Sequence, residues 1–167
     1  TFRREELEAI CDLVLEENIR RGDTEKKLYV MYDQMYWHLT YGDIQHYDPV
    51  SLRPAMRDYT IYIDAISKVF AATGVRVGWG MGPATVIGKM KAILTHIGAW
   101  APMAEQKAVA YFLGQKDAIK KYLAGFKTEI EERLRRIYDG FMQLKAEGLP
   151  VDAIAPEAAI YLTIKID

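Results

Sequence analysis

The chain has 167 residues, with 22 Lys and Arg against 23 Asp and Glu, a net charge of −1, and half of its residues are hydrophobic. That composition supports a sizeable core and excludes disorder, a fibrous repeat and the cationic surface of a nucleic-acid or anionic-membrane binder. No apolar run approaches the roughly 18 residues that would cross a bilayer, and one cysteine, Cys11, excludes an internal disulfide or a cysteine-rich zinc site.

The opening Thr1-Phe2-Arg3-Arg4-Glu5-Glu6 lacks the pattern of a signal peptide, so a cytoplasmic location is expected, with no membrane and no nucleic acid as partner. His38, His46 and His96 are too scattered to suggest a metal. Leu7, Ile10, Cys11, Val14 and Leu15 recur at helical spacing, and Arg20-Arg21-Gly22 suits a helix C-terminus, which predicts a helix over 3–21. Leu28-Tyr29-Val30-Met31-Tyr32, stopped by Asp33, reads as a buried strand, and Thr60-Ile61-Tyr62-Ile63-Asp64 repeats the design. Val75-Arg76-Val77-Gly78-Trp79-Gly80 is expected as a third short strand.

Pro83 then opens a helix that runs to about His96, Gly98 to Pro102 interrupts it, and a second helix is expected over 103–114. From Ile119 to Leu144 apolar residues advance by three or four, predicting one long amphipathic helix ended at Gly148-Leu149-Pro150. The run 159–167 is expected as a last strand with an open edge. This order of elements predicts an α/β layer architecture with a largely parallel sheet, and the abrupt beginning and end suggest a fragment.

In an open α/β sheet, reactive groups collect at the carboxyl ends of strands, which draws attention to Asp33 and to the segment after Asp64. There Lys68 follows Ser67, and Gly74, Arg76 and Gly78 stand six, eight and ten residues beyond it. A lysine past a buried strand can lose solvent, and the neutral amine that desolvation favours attacks an aldehyde to form a Schiff base. Arg76 suits a bidentate grip on a phosphate. Asp33 offers a carboxylate that keeps a ring nitrogen protonated, and Tyr36, three residues later, offers a phenol for an oxyanion. Together these parts compose a pyridoxal 5′-phosphate (PLP) site.

With these residues the chain resembles the fold-type I aminotransferases of the aspartate aminotransferase class. The family's signature Ser-x-Ser-Lys-x-aromatic followed by Gly-x-Arg-x-Gly is met at Ser67, Lys68, Phe70, Gly74, Arg76 and Gly78, and its Asp-x-x-Tyr pair at Asp33 and Tyr36. The first serine of the signature is replaced by Ala65, so one phosphate hydrogen bond is expected to be missing or supplied elsewhere. Residues 96–100, His-Ile-Gly-Ala-Trp, also depart from the polar loop of many relatives.

The resemblance implies a three-layer α/β/α fold, with residues 1–125 as the C-terminal half of the PLP-binding large domain and 126–167 as the interdomain helix and beginning of an α+β small domain. It implies that Lys68 carries the cofactor, that Asp33 pairs with the pyridine nitrogen and Tyr36 with O3′, and that Ser67 and Arg76 hold the phosphate. The activity it implies is transfer of an amino group between an amino acid and a 2-oxo acid by a homodimer. Another fold-type I chemistry, a lyase or decarboxylase, and a non-catalytic aminotransferase-like sensor module are the alternatives, because the same residues serve the cofactor in each.

Overall fold

The computed structural model describes residues 2–167, which separate into two compact units, one of residues 2–35 and 46–112 and one of residues 36–45 and 113–167. Among these residues no helix is long and apolar enough to cross a membrane.

The first unit opens with helix α1, Arg4–Arg21, which buries Leu7, Cys11 and Val14 on one face and ends at Gly22 with a φ of 54°. Those side chains meet Met56 in a core to which Leu28, Val30, Tyr32 and Val50 add partly buried surface. Asn18, buried on the same helix, sends its amide nitrogen to the Leu28 carbonyl at 2.8 Å and accepts from the Leu28 N–H at 2.7 Å. A buried amide with both ends bonded costs little and fixes where the chain leaves the helix for the sheet.

Strand β1, Val30–Asp33, is followed by a short helix α2, Pro49–Leu52, and a 3-10 turn at Pro54–Asp58. Asp48 caps α2 by accepting from the N–H groups of Val50 and Ser51, each at 3.1 Å, and from the Tyr62 hydroxyl at 2.6 Å. Strand β2, Thr60–Ala65, runs parallel to β1, with Val30 opposite Thr60 and Asp33 opposite Ile63. Strand β3, Gly78–Met81, returns antiparallel, with Asp64 opposite Trp79 and Ala65 opposite Gly78.

Three expectations change here. The sheet is mixed, since one of its two pairings is antiparallel. The third strand starts at Gly78 because Thr73–Val75 form a 3-10 turn and Arg76 takes a left-handed conformation, φ 61° and ψ 37°, which no ladder position accepts. The first strand is covered on one face only, with Met31 71% exposed between the half-buried Val30 and Tyr32. Helices α3, Ala84–Ile97, and α4, Met103–Leu113, follow; Val109 of α4 joins Ile66 and Val77 in a second core with Phe70, Val75 and Trp79 against it.

The second unit is built on helix α5, Lys116–Ala146, whose one buried residue is Leu134. Its length follows from the unbroken helical period and from pairs such as Glu129 with Arg133 and Glu131 with Arg135, one turn apart. Strands β4, Val151–Ala153, and β5, Ile164–Ile166, pair antiparallel, Asp152 opposite Lys165. The expected open-edged strand over 159–167 is therefore shorter and has a partner on one side. Residues 159–160 form a turn, with Ala159 at a φ of 63°. An antiparallel bridge between Thr40 and Ala158 belongs to the same unit.

Candidate functional site

The parallel register of β1 and β2 carries both strands to the same edge of the sheet, so Asp33 and the residues after Ala65 leave at their carboxyl ends. Asp33 is exposed; its Oδ1 accepts from the Met35 N–H at 3.1 Å, a local turn that leaves the other oxygen without a partner among the described residues. The Gln34 N–H continues the ladder by donating to the Ile63 carbonyl at 3.0 Å, which anchors the backbone just past Asp33. Tyr32, inward from Asp33, donates its hydroxyl to the Tyr47 carbonyl at 2.6 Å, and burial with the nearby Asp48 charge pushes its phenol up to about 12.

Beyond β2, Ile66 and Val69 are buried and clamp the segment between them, while Ser67 and Lys68 are half-buried. Neither the Lys68 amine nor the Ser67 hydroxyl has a hydrogen-bond partner among the described residues. The loop they open is tied across its width. Thr73 Oγ1 donates to the Ser67 carbonyl at 2.9 Å, and the Thr73 carbonyl accepts from Arg76 Nη1 at 3.0 Å. The left-handed backbone at Arg76 turns the chain into β3, and the rest of its exposed guanidinium edge has no partner among the described residues.

Gly78 is demanded by what lies beside it. A Cβ there would meet the Asp64 carbonyl oxygen at 3.0 Å and the Ala65 Cβ at 3.1 Å. Gly74, by contrast, has open space around it and no unusual φ, so its place in the spaced signature has no steric reason in this loop. Asp64 itself is buried at the end of β2, with Oδ1 accepting from the Ala65 N–H at 2.7 Å.

The first unit thus brings Ser67, Lys68 and Arg76 into one tied loop and sets Asp33 on the neighbouring strand end of the same sheet. Tyr36 belongs to the second unit, where its hydroxyl lies 2.8 Å from that of Tyr161. Two hydrogen-bond partners of these residues were not singled out by sequence reasoning. Thr73 stands between two small residues and a glycine, where only its hydroxyl distinguishes it. Tyr161 lies 125 residues from its partner, so no local pattern marks it.

Comparison with known proteins gives this arrangement its context. The chain is 30% identical over 168 residues to a probable aspartate/prephenate aminotransferase of Rhizobium leguminosarum bv. phaseoli, covering 96% of this chain and 36% of that protein. It is 26% identical over 162 residues to an aspartate aminotransferase of Geobacillus stearothermophilus, covering 96% and 37%. Among solved structures, an aromatic aminotransferase from Pyrococcus horikoshii OT3 superposes with a TM-score of 0.81 at 28% identity, over 97% of this chain and 39% of the other. The chain therefore spans little more than a third of the length of these relatives. The family model "Aminotransferase class I and II" matches residues 2–167, and the chain belongs to that family.

Proposed function

We propose that the protein carrying this chain is a PLP-dependent aminotransferase that moves an amino group between an amino acid and a 2-oxo acid, with Lys68 as the residue that holds the cofactor. The observation that carries this reading is the tied loop after β2, which joins an unpartnered, half-buried lysine to an arginine with a free guanidinium edge.

The donor set fits the group. An amine free of local partners suits an aldehyde, a guanidinium and a hydroxyl suit a phosphate, and a carboxylate with an unused oxygen suits a protonated ring nitrogen. When bound, PLP supplies an electron sink for bonds breaking at the substrate α-carbon. Arg76 and Ser67 would bind the phosphate and fix the orientation of everything attached to it. Asp33 would hold a proton on the ring nitrogen, and Tyr36 would donate to O3′. Lys68 Nζ would take the proton from the substrate α-carbon and deliver it to C4′ of the cofactor.

The sheet, its flanking helices and the residues 1–125 are read as part of a three-layer α/β/α large domain, and 126–167 as the linking helix and start of a small domain. A homodimer and a cytoplasmic location complete the proposal.

Borohydride reduction of the PLP-loaded protein tests it. The label is expected on Lys68 and should vanish in Lys68→Ala; a label on Lys89 or Lys91, or uptake of no PLP, would overturn the assignment.

A further inference from the structure

The segment that follows Tyr36 is stitched to the segment that precedes Tyr161. The Tyr41 N–H donates to the Glu157 carbonyl at 2.9 Å, the Ala159 N–H donates to the Leu39 carbonyl at 2.8 Å, and the Tyr41 hydroxyl donates to the Ala159 carbonyl. Leu39 and Tyr41 are buried, and Ala159 sits in the left-handed region at a φ of 63°. That conformation is costly for a residue with a Cβ and persists where its surroundings impose it. Beside this clasp the two segments also meet through side chains. The hydroxyls of Tyr36 and Tyr161 lie 2.8 Å apart, and their rings meet edge to face with centroids 5.6 Å apart at 71°.

Burial does not explain the contact, since Tyr161 is 61% exposed and an exposed hydroxyl is satisfied equally well by water. Proton counting assigns it a direction. A phenol has a single proton to donate. If Tyr36 gives its proton to O3′ of PLP, its oxygen can only accept from Tyr161. Two hydroxyls in series polarise each other, so each strengthens the next donation.

We propose that Tyr161 is a positioning residue of the aminotransferase reaction, donating to Tyr36 Oη and so orienting and strengthening the hydrogen bond that Tyr36 makes to the cofactor ring oxygen. The inference rests on the role given to Tyr36 above. It assigns Tyr161 no contact with substrate.

The test is a pH titration of the cofactor's visible absorption in the PLP-loaded protein and in Tyr161→Phe, Tyr36→Phe and the double variant. A donor on the ring oxygen competes with Lys68 Nζ–H for that oxygen, so a weaker donor raises the pH at which Lys68 Nζ gives up its proton. Tyr161→Phe is expected to raise the midpoint by about 0.5 pH unit, a shift of about threefold in the protonation equilibrium. Tyr36→Phe should raise it further, and adding Tyr161→Phe to Tyr36→Phe should change nothing more. A role confined to folding would move the melting temperature and leave the midpoint in place. An unmoved midpoint in Tyr161→Phe beside a raised one in Tyr36→Phe overturns the inference alone, as does an effect that persists in the double variant. An unmoved midpoint in Tyr36→Phe overturns both the inference and the role of Tyr36.

Discussion

Thr73 Oγ1 donates to the carbonyl oxygen of Ser67, six residues earlier, at 2.9 Å, and this bond closes the loop that carries Lys68. Because the Thr73 carbonyl also receives Arg76 Nη1, the threonine sets the separation between the lysine and the guanidinium. Thr73→Val is therefore expected to weaken PLP binding by about tenfold, the equivalent of one net hydrogen bond of about 1.4 kcal/mol. Thr73→Ser should keep wild-type affinity. Absorbance titration with PLP measures both, and equal affinity for the valine variant would remove the tie from the account.

Gly78→Ala places a Cβ against the Asp64 carbonyl oxygen and the Ala65 Cβ, both fixed by the β2–β3 ladder. A loss of about 1–3 kcal/mol in urea unfolding is expected for such overpacking. Gly74→Ala meets nothing within 4 Å and serves as the control, expected within about 0.5 kcal/mol of the parent.

Asp33→Asn keeps the shape of the side chain and removes its charge. PLP affinity should change little, while turnover with amino acids falls by about 100-fold or more, because the charge that would keep the ring nitrogen protonated is gone. Steady-state kinetics beside the PLP titration separates the two, and full activity would take Asp33 out of the mechanism.

His46 packs against Tyr32 with ring centroids 5.9 Å apart, and burial lowers its tendency to protonate, partly offset by the Asp48 charge. The unfolded chain takes up this proton near its ordinary value of 6.5, while the folded chain resists until lower pH. Below 6.5 the unfolded state therefore binds more protons, and stability falls as pH falls. Urea midpoints between pH 7 and 5 should show a shallower slope in His46→Gln than in the parent.

Asp48 accepts from two N–H groups of α2, from the Ser51 hydroxyl and from the Tyr62 hydroxyl, which burial and the same contact hold well above the ordinary phenol range. Its carboxyl is pushed up by burial, yet these donors together hold it below the usual carboxylate range. Asp48→Ala removes a helix cap and strands a half-buried hydroxyl, so a loss of about 2 kcal/mol is expected. Asp48→Asn should recover much of it.

What the sequence made legible was whatever repeats locally. The apolar period of α1 and of α5, and the short run Thr60 to Ala65, appear where hydrophobic spacing places them. The lysine loop was legible for a different reason, since Ser67, Lys68, Arg76 and Gly78 lie within twelve residues of one another. Val75-Arg76-Val77 misled because β-branched residues favour extended backbone, and the left-handed turn at Arg76 is imposed by its bond to Thr73 and by packing of Val77. The partner of the last strand was hidden because Val151–Ala153 is only three residues long and follows a helix. Tyr36 with Tyr161 was hidden by distance along the chain.

That distance has a consequence for how the protein is made. The clasp joins Tyr41 to Ala159 across 118 residues, so it closes a long loop and cannot begin to form until α5 and the residues beyond it exist. The first unit's sheet and cores draw on residues that end at Phe112 and are complete well before then. During synthesis the lysine loop should therefore mature early and the hydroxyl of Tyr36 late, after a wait of some seconds at about 5–20 residues per second. A truncation that ends before Glu157 would leave Tyr36 without its clasp while the loop around Lys68 still closes.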